Sequence, residues 1–195
     1  CPITADSLLQ WRKSEFGMNK PASVPVFFDP TDPVCRRRIA TVTRSKSVRV
    51  VDPLQSYLDE LYAIRNPQSI RTGVSMKDRV AFRHTLIPDG DESRYGMWVY
   101  FPWNKTLVHV LPEAEHTELR TARNRNLITE DEQQRWYRSS IGVAGLSVGN
   151  AVVTAIVQTG GGKYLRLADC DDISASNINR IRAGISDVGT KKIDL

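Results

Sequence analysis

The sequence predicts an α/β chain. Its rear part, from about residue 119, reads as the opening unit of a nucleotide-binding parallel sheet. Its front part, about 1–118, reads as a small α+β region with a β-hairpin. Three observations carry this. Residues 141–168 run as apolar strand, glycine turn, apolar helix and second strand. The second strand ends in acid, Asp169, Asp171 and Asp172, and Asp169 stands 20 residues beyond Gly149, close to the spacing of about 20 between a phosphate-binding glycine turn and the acid that takes a ribose hydroxyl. Further forward, 95–111 alternates as two strands around Asn104-Lys105.

Taken in order, Thr4–Phe16 is expected to form a short helix with Leu8, Leu9, Trp11 and Phe16 on one side. Val26-Phe27-Phe28 is expected as a brief strand within an otherwise irregular 21–33, and 33–41 as an arginine-rich helix. Residues 47–51 read as a strand. Asp52-Pro53 then opens a helix, the aspartate as N-cap and the proline in the first turn. Leu54, Leu58, Leu61 and Tyr62 recur at helical spacing and form its core face, and Asn66-Pro67 ends it. Residues 70–81 fit no single pattern, 82–86 reads as a strand, and Pro88-Asp89-Gly90-Asp91 is a turn.

In the hairpin, Trp98 and Tyr100 on one strand and Val108 and Val110 on the other are the expected core face, and His109 is expected to be a surface or hydrogen-bonded strand histidine. Residues 112–121 form a charged helix. Thr129 and Glu132 have the spacing of a capping box for a helix over 130–138. The parallel-sheet unit comes next: strand 141–144, turn Gly145–Gly149, helix 150–158 closed by Gly160, Gly161 and Gly162, and strand 164–168.

Glycines let the backbone approach a phosphate, and a helix N-terminus offers that phosphate unpaired N–H groups and a partial positive charge. The turn Gly145-Leu-Ser-Val-Gly149 is shorter in glycine than the G-x-G-x-x-G dinucleotide pattern. The residues beyond the acid are more specific: Asp169-x-Asp171, then Ser176-Asn177-x-x-Arg180, then Gly189-x-x-Lys192. This combination resembles the ThiF/MoeB family, the bacterial relatives of ubiquitin-activating enzymes, over about 122–194. Three departures stand out. Leu146 and Ser147 fall where that family usually has glycines, Ile181 falls where glutamine commonly comes after the arginine, and the step from Arg180 to Lys192 is one residue shorter.

The resemblance implies a partial Rossmann-like (ThiF-type) fold, ATP and magnesium as cofactors, and adenylation of a carboxylate: the C-terminus of a ubiquitin-like or sulfur-carrier protein, or a small molecule. Under it, Gly145, Ser147 and Gly149 would form the phosphate loop, and Asp169, with Asp171 beside it, would hold the ribose end. Asn177 and Arg180 would contact the triphosphate, and Lys192 would bridge its phosphates. Fixed cations suit a reaction that gathers negative charge at an α-phosphate. An arginine before the 130–138 helix, Arg123 or Arg125, would reach the ATP site of a partner subunit, so a homodimer is expected. The magnesium ligand would lie beyond residue 195. With Cys1 in place of an initiator methionine, the chain reads as the front portion of a longer protein.

Composition narrows the classes. The chain is 41% hydrophobic and 25% charged, with net charge +5 spread along it, as in a globular protein without a nucleic-acid-binding concentration of charge. No apolar run reaches the roughly 18 residues of a membrane span. Cys1, Cys35 and Cys170 share no C-x-x-C spacing, which argues against a zinc site or disulfide framework and for a reducing cytoplasm. Two other readings stay open: a non-catalytic binding or scaffolding module that keeps the fold, and an NAD- or FAD-dependent oxidoreductase. The second is disfavoured because Ser176-Asn177-x-x-Arg180 has no role in dinucleotide binding.

Overall fold

The computed structural model describes residues 24–73 and 75–195. The helix expected over Thr4–Phe16 lies outside them. The fold is mixed α/β, and the chain divides into two compact units. One takes the described residues up to Leu54 with Asp91–Val110; the other takes Gln55–Gly90 with Leu111–Leu195.

The first unit is built on a four-stranded mixed sheet in the order β1-β3-β4-β2. Its strands are β1 Val26–Phe28, β2 Arg49–Val51, β3 Met97–Phe101 and β4 Thr106–Val110. The hairpin forms as the sequence predicts, β3 antiparallel to β4, with a 3-10 turn Pro102–Asn104 and Lys105 at φ 50 closing it. Helix α1, Pro33–Thr43, starts where Asp32 accepts the Val34 N–H at 2.8 Å. It packs on one face of the sheet, where Phe28, Val42, Trp98 and Leu107 form the buried core, flanked by Cys35, Ile39 and Tyr100.

One expectation for this sheet is overturned. Trp98 stands opposite His109 and Tyr100 opposite Leu107, so Leu107 and His109, not Val108 and Val110, share the face of Trp98 and Tyr100. Strand alternation is right in period and shifted by one residue in β4. His109 can occupy that face because its polar atoms are satisfied. Its ring nitrogens lie 2.9 Å from Asp52 Oδ1 and 2.6 Å from the Tyr95 carbonyl, and the ring stacks on Trp98 at 4.4 Å. Asp52 also accepts the Leu54 N–H at 3.3 Å, so it caps helix α2, Leu54–Arg65, while holding the histidine.

In the second unit, Leu58 and Leu61 of α2 are fully buried, as their spacing predicts. A short helix α3, Ser69–Thr72, precedes α4, Met76–Leu86. The expected strand at 82–86 is therefore helical. Ser75 caps α4 by accepting the Asp78 N–H at 3.1 Å. Arg79 and Arg83, one turn apart, both reach Asp59 of α2, at 2.7 and 3.1 Å, and Phe82 packs edge-on against Tyr62. These tertiary contacts select the helix for a run whose composition also suits a strand. Helices α5, Glu113–Thr121, and α6, Glu130–Tyr137, come next, the latter with the full Thr129–Glu132 capping box. The unit ends with a parallel pair, β5 Ser140–Ala144 and β6 Tyr164–Ala168, joined through α7, Gly149–Gln158. No helix among the described residues is long and apolar enough to cross a membrane.

Candidate functional site

The register of β5 and β6 places Ala144 beside Ala168, so both strands end together and their next residues face a common turn. Gly145 extends the ladder by one bond, its N–H donating to the Ala168 carbonyl at 2.8 Å, and then turns the chain at φ 88, a conformation that favours glycine. Leu146 tucks inward, 3% exposed. Gly149 begins α7 where helix and strand come closest: a Cβ built there would lie 2.9 Å from Val143 Cγ1. The two glycines thus do different work, one turning the chain and the other admitting the helix to the sheet.

Asp169 binds this turn directly. Its Oδ2 accepts the Leu146 N–H at 2.5 Å and its Oδ1 accepts the Asp171 N–H at 2.8 Å. These backbone donors, Leu146 first, hold its carboxyl below the usual carboxylate range against the opposing effect of burial, and Lys192 adds to them. Lys192, 21 residues along from Asp171, returns because the chain doubles back on itself. Ile173 N–H donates to the Thr190 carbonyl and Gly189 N–H to the Ile173 carbonyl, both at 2.8 Å, and Lys192 N–H donates to the Asp171 carbonyl at 3.1 Å. The lysine side chain is 5% exposed, with Nζ 2.7 Å from Asp171 Oδ2 and 3.7 Å from Asp169 Oδ1. The bond to Asp171 chiefly raises its affinity for a proton.

The loop between Asp171 and Lys192 has a small core of its own, with Ile173 and Ile181 buried. Ile181, one of the residues that depart from the resembled pattern, is thus an apolar anchor. Asn177 is buried too, its Oδ1 accepting the Ser174 N–H at 3.1 Å. Arg180 is exposed and bonds the Ser176 carbonyl and Asn179 Oδ1, and its charge opposes that of Lys192. Asn150, which no motif in the sequence singles out, ties the loop to the start of α7 by accepting the Arg182 N–H at 3.3 Å. An asparagine in the first turn of a helix is the one signal that could have found it.

Gly145, Ser147, Gly149, Asp169 and Asp171 line one groove of about 430 Å³, together with Val148 at the entry to α7. Lys192 does not line it, but is paired with its two aspartates. Arg123 and Arg125 lie elsewhere, in a 3-10 turn spanning Ala122–Asn126. Arg125 bonds Glu118 at 3.0 Å and the Ile64 carbonyl at 3.3 Å, and it lines a separate recess of about 460 Å³ with Arg65, Tyr137 and Lys163. Arg123 is exposed.

The groove has the features of a nucleotide site: a glycine turn, a helix N-terminus and an acid at a strand end. It does not suit magnesium by itself. Asp169, Cys170 and Asp171 bring ligand atoms within 4.8 Å of one another. However, magnesium takes oxygen ligands rather than a thiol, both Asp169 oxygens already accept N–H groups, and Asp171 is paired with Lys192.

Comparison with known proteins agrees with this geometry. Residues 121–195 match the family model described as ThiF family. An uncharacterized protein of Mycobacterium tuberculosis (strain CDC 1551 / Oshkosh), MT1398, is 34% identical over 132 residues, which is 66% of this chain and 18% of that protein. The chain thus spans less than a fifth of that relative's length, and the likeness runs beyond the family segment into the residues before 121. No solved structure matches the chain significantly.

Proposed function

We propose that residues 121–195, which match the ThiF family model, carry an ATP site used to adenylate a carboxylate. The substrate is the C-terminus of a ubiquitin-like or sulfur-carrier protein, or a small carboxylate. The observation that supports this most is the junction of Asp169 with the glycine turn and with Lys192, which puts an acid and a cation at one strand end beside a helix N-terminus.

On this reading, Asp169 accepts a ribose hydroxyl with the lone pairs its two backbone donors leave unused. Gly145 keeps the turn free of side-chain bulk and lets backbone N–H groups approach the phosphates. Lys192 leaves Asp171 for the phosphates, and Arg180, exposed on the neighbouring turn, adds a second cation. Both stabilise negative charge as the carboxylate oxygen attacks the α-phosphorus and pyrophosphate departs. Asn177 shapes the loop that carries Arg180. Magnesium, when bound with ATP, supplies further charge neutralisation; none of the described carboxylates is assigned to it. Arg123 or Arg125 serves a second subunit of a homodimer.

A binding module without chemistry is the second reading, favoured by one feature: Lys192 is already paired and shielded by Asp171. One experiment separates the two. The protein is incubated with ATP, magnesium, labelled pyrophosphate and a panel of sulfur-carrier proteins and small carboxylates. Carboxylate-dependent exchange of label into ATP, lost in Asp169→Ala, supports adenylation. ATP binding without exchange for any carboxylate supports the module.

A further inference from the structure

The first unit is electrically polarised along its strands. β1 and β2 end, and β3 begins, at the same end of the sheet, because Phe28 pairs with Trp98 and Val51 with Val108. All five acidic residues described in this unit adjoin that end: Asp29 and Asp32 after β1, Asp52 after β2, and Asp91 and Glu92 before β3. The opposite end holds no acid among the described residues. There Arg44 stands at the C-cap of α1, the turn into β2 carries Lys46, β2 opens on Arg49, and Lys105 immediately precedes β4. The Arg49 N–H donates to the Lys105 carbonyl at 2.9 Å, so these two residues adjoin across the ladder. All four side chains belong to exposed residues and none forms an ion pair among the described residues. Trp103, 47% exposed, stands in the hairpin turn beside them.

Four unpaired cations on one end of a small unit repel one another and hold a local positive field that a complementary anion would relieve. The backbone adds a second requirement. Among the described residues β2 is an edge of the sheet; Arg49 turns its N–H toward β4, and the exposed Val50 between Arg49 and Val51 turns its backbone N–H and C=O outward beside the cations. We propose that this end of the first unit binds an extended acidic segment of a partner protein, which pairs its backbone with β2 and sets carboxylates against Arg49, Lys46 and Lys105. An edge strand supplies the backbone pairing that a peptide uses and a nucleic acid does not. A single exposed tryptophan is also a poor stacking track for successive bases.

The test is fluorescence anisotropy on the intact protein with three labelled probes: a short peptide of alternating Glu and Val, its Lys-Val counterpart, and a uridine oligonucleotide of equal charge. The Glu-Val peptide should bind, more weakly as salt rises. Reversing two charges in Arg49→Glu with Lys105→Glu should weaken it by about tenfold or more, the scale of two lost surface ion pairs turned repulsive. Arg36→Glu with Arg37→Glu, at the far end of α1, should leave it unchanged. If thermal melting shows the first variant to be unfolded, Arg44→Gln with Lys46→Gln takes its place, with weaker binding expected. No Glu-Val binding above the Lys-Val level, tighter binding of the oligonucleotide, or equal loss in the Arg36/Arg37 variant would each overturn the proposal.

Discussion

Lys192 Nζ lies 2.7 Å from Asp171 Oδ2 while its side chain is 5% exposed, so the cation expected to meet a triphosphate already has an anion beside it. Asp171 is the more exposed partner, at 67%. Any phosphate that takes Lys192 must compete with this carboxylate. Asp171→Asn should therefore raise ATP affinity, by roughly three- to tenfold for the loss of one partly solvated competitor. Lys192→Ala should cut carboxylate-dependent pyrophosphate exchange about a hundredfold, as for one lost transition-state charge contact. The double variant should behave as Lys192→Ala alone, since Asp171 acts through the lysine. Titration calorimetry and exchange kinetics check the set.

The glycines of the turn separate by mechanism. Gly149→Ala puts a methyl 2.9 Å from the branched Val143 side chain, so it should cost about 1–3 kcal/mol of stability through overpacking. Gly145→Ala forces an L residue to φ 88 and should cost about 1–2 kcal/mol through backbone strain. Ser147→Ala meets neither constraint and should stay within about 0.5 kcal/mol. Denaturant unfolding of the three variants gives the order directly.

The hold of Asp169 on the turn is pH-dependent, with a sign set by the direction of its shift. Its carboxyl is held below the ordinary range, first by the Leu146 and Asp171 N–H groups. The stability it adds is present above the unfolded value, about 3.9, and disappears as pH falls through the lower folded value. The Leu146 amide proton resonance should therefore stay fixed from neutral pH down to about 4 and move only in stronger acid. Movement centred at or above the ordinary aspartate value would show that the bond does not bias the carboxyl.

Arg125 and Arg123 should divide by function rather than by stability. Arg125→Ala leaves Glu118 with Arg65 at 2.7 Å, so stability should fall by less than about 1 kcal/mol. If either arginine serves a partner subunit, its alanine variant mixed with Lys192→Ala should recover part of the lost activity, because one of the mixed dimer's two sites is intact. No recovery with Arg125→Ala or with Arg123→Ala would return both to the surface.

The sequence is most informative where one local rule decides the outcome. The capping box at Thr129 and Glu132, the Asp52 cap, the strand–turn–helix–strand order and the acid at the end of β6 all depend on neighbours along the chain. Residues 82–86 read as a strand and fold as a helix because Asp59 and Tyr62, which select the helix, lie more than a turn of sequence away on α2. In β4 the period is legible and the phase is not, since a buried histidine is acceptable only once Asp52 and Tyr95 are known to face it. Similarly, the family resemblance names Lys192, but the doubling back of 171–192 that shields it with Asp171 depends on backbone bonds no motif encodes.

Ligand preference tests the central claim most directly. In calorimetric titrations of the intact protein, ATP with magnesium should bind more tightly than NAD or FAD, because Lys192 and Arg180 favour a triphosphate over the diphosphate bridge of a dinucleotide. The preference should be lost in Lys192→Ala with Arg180→Ala, and ATP binding should weaken in Asp169→Ala, which loses the ribose contact. Tighter binding of NAD or FAD, or ATP binding indifferent to Asp169, would contradict the assignment of this groove to ATP.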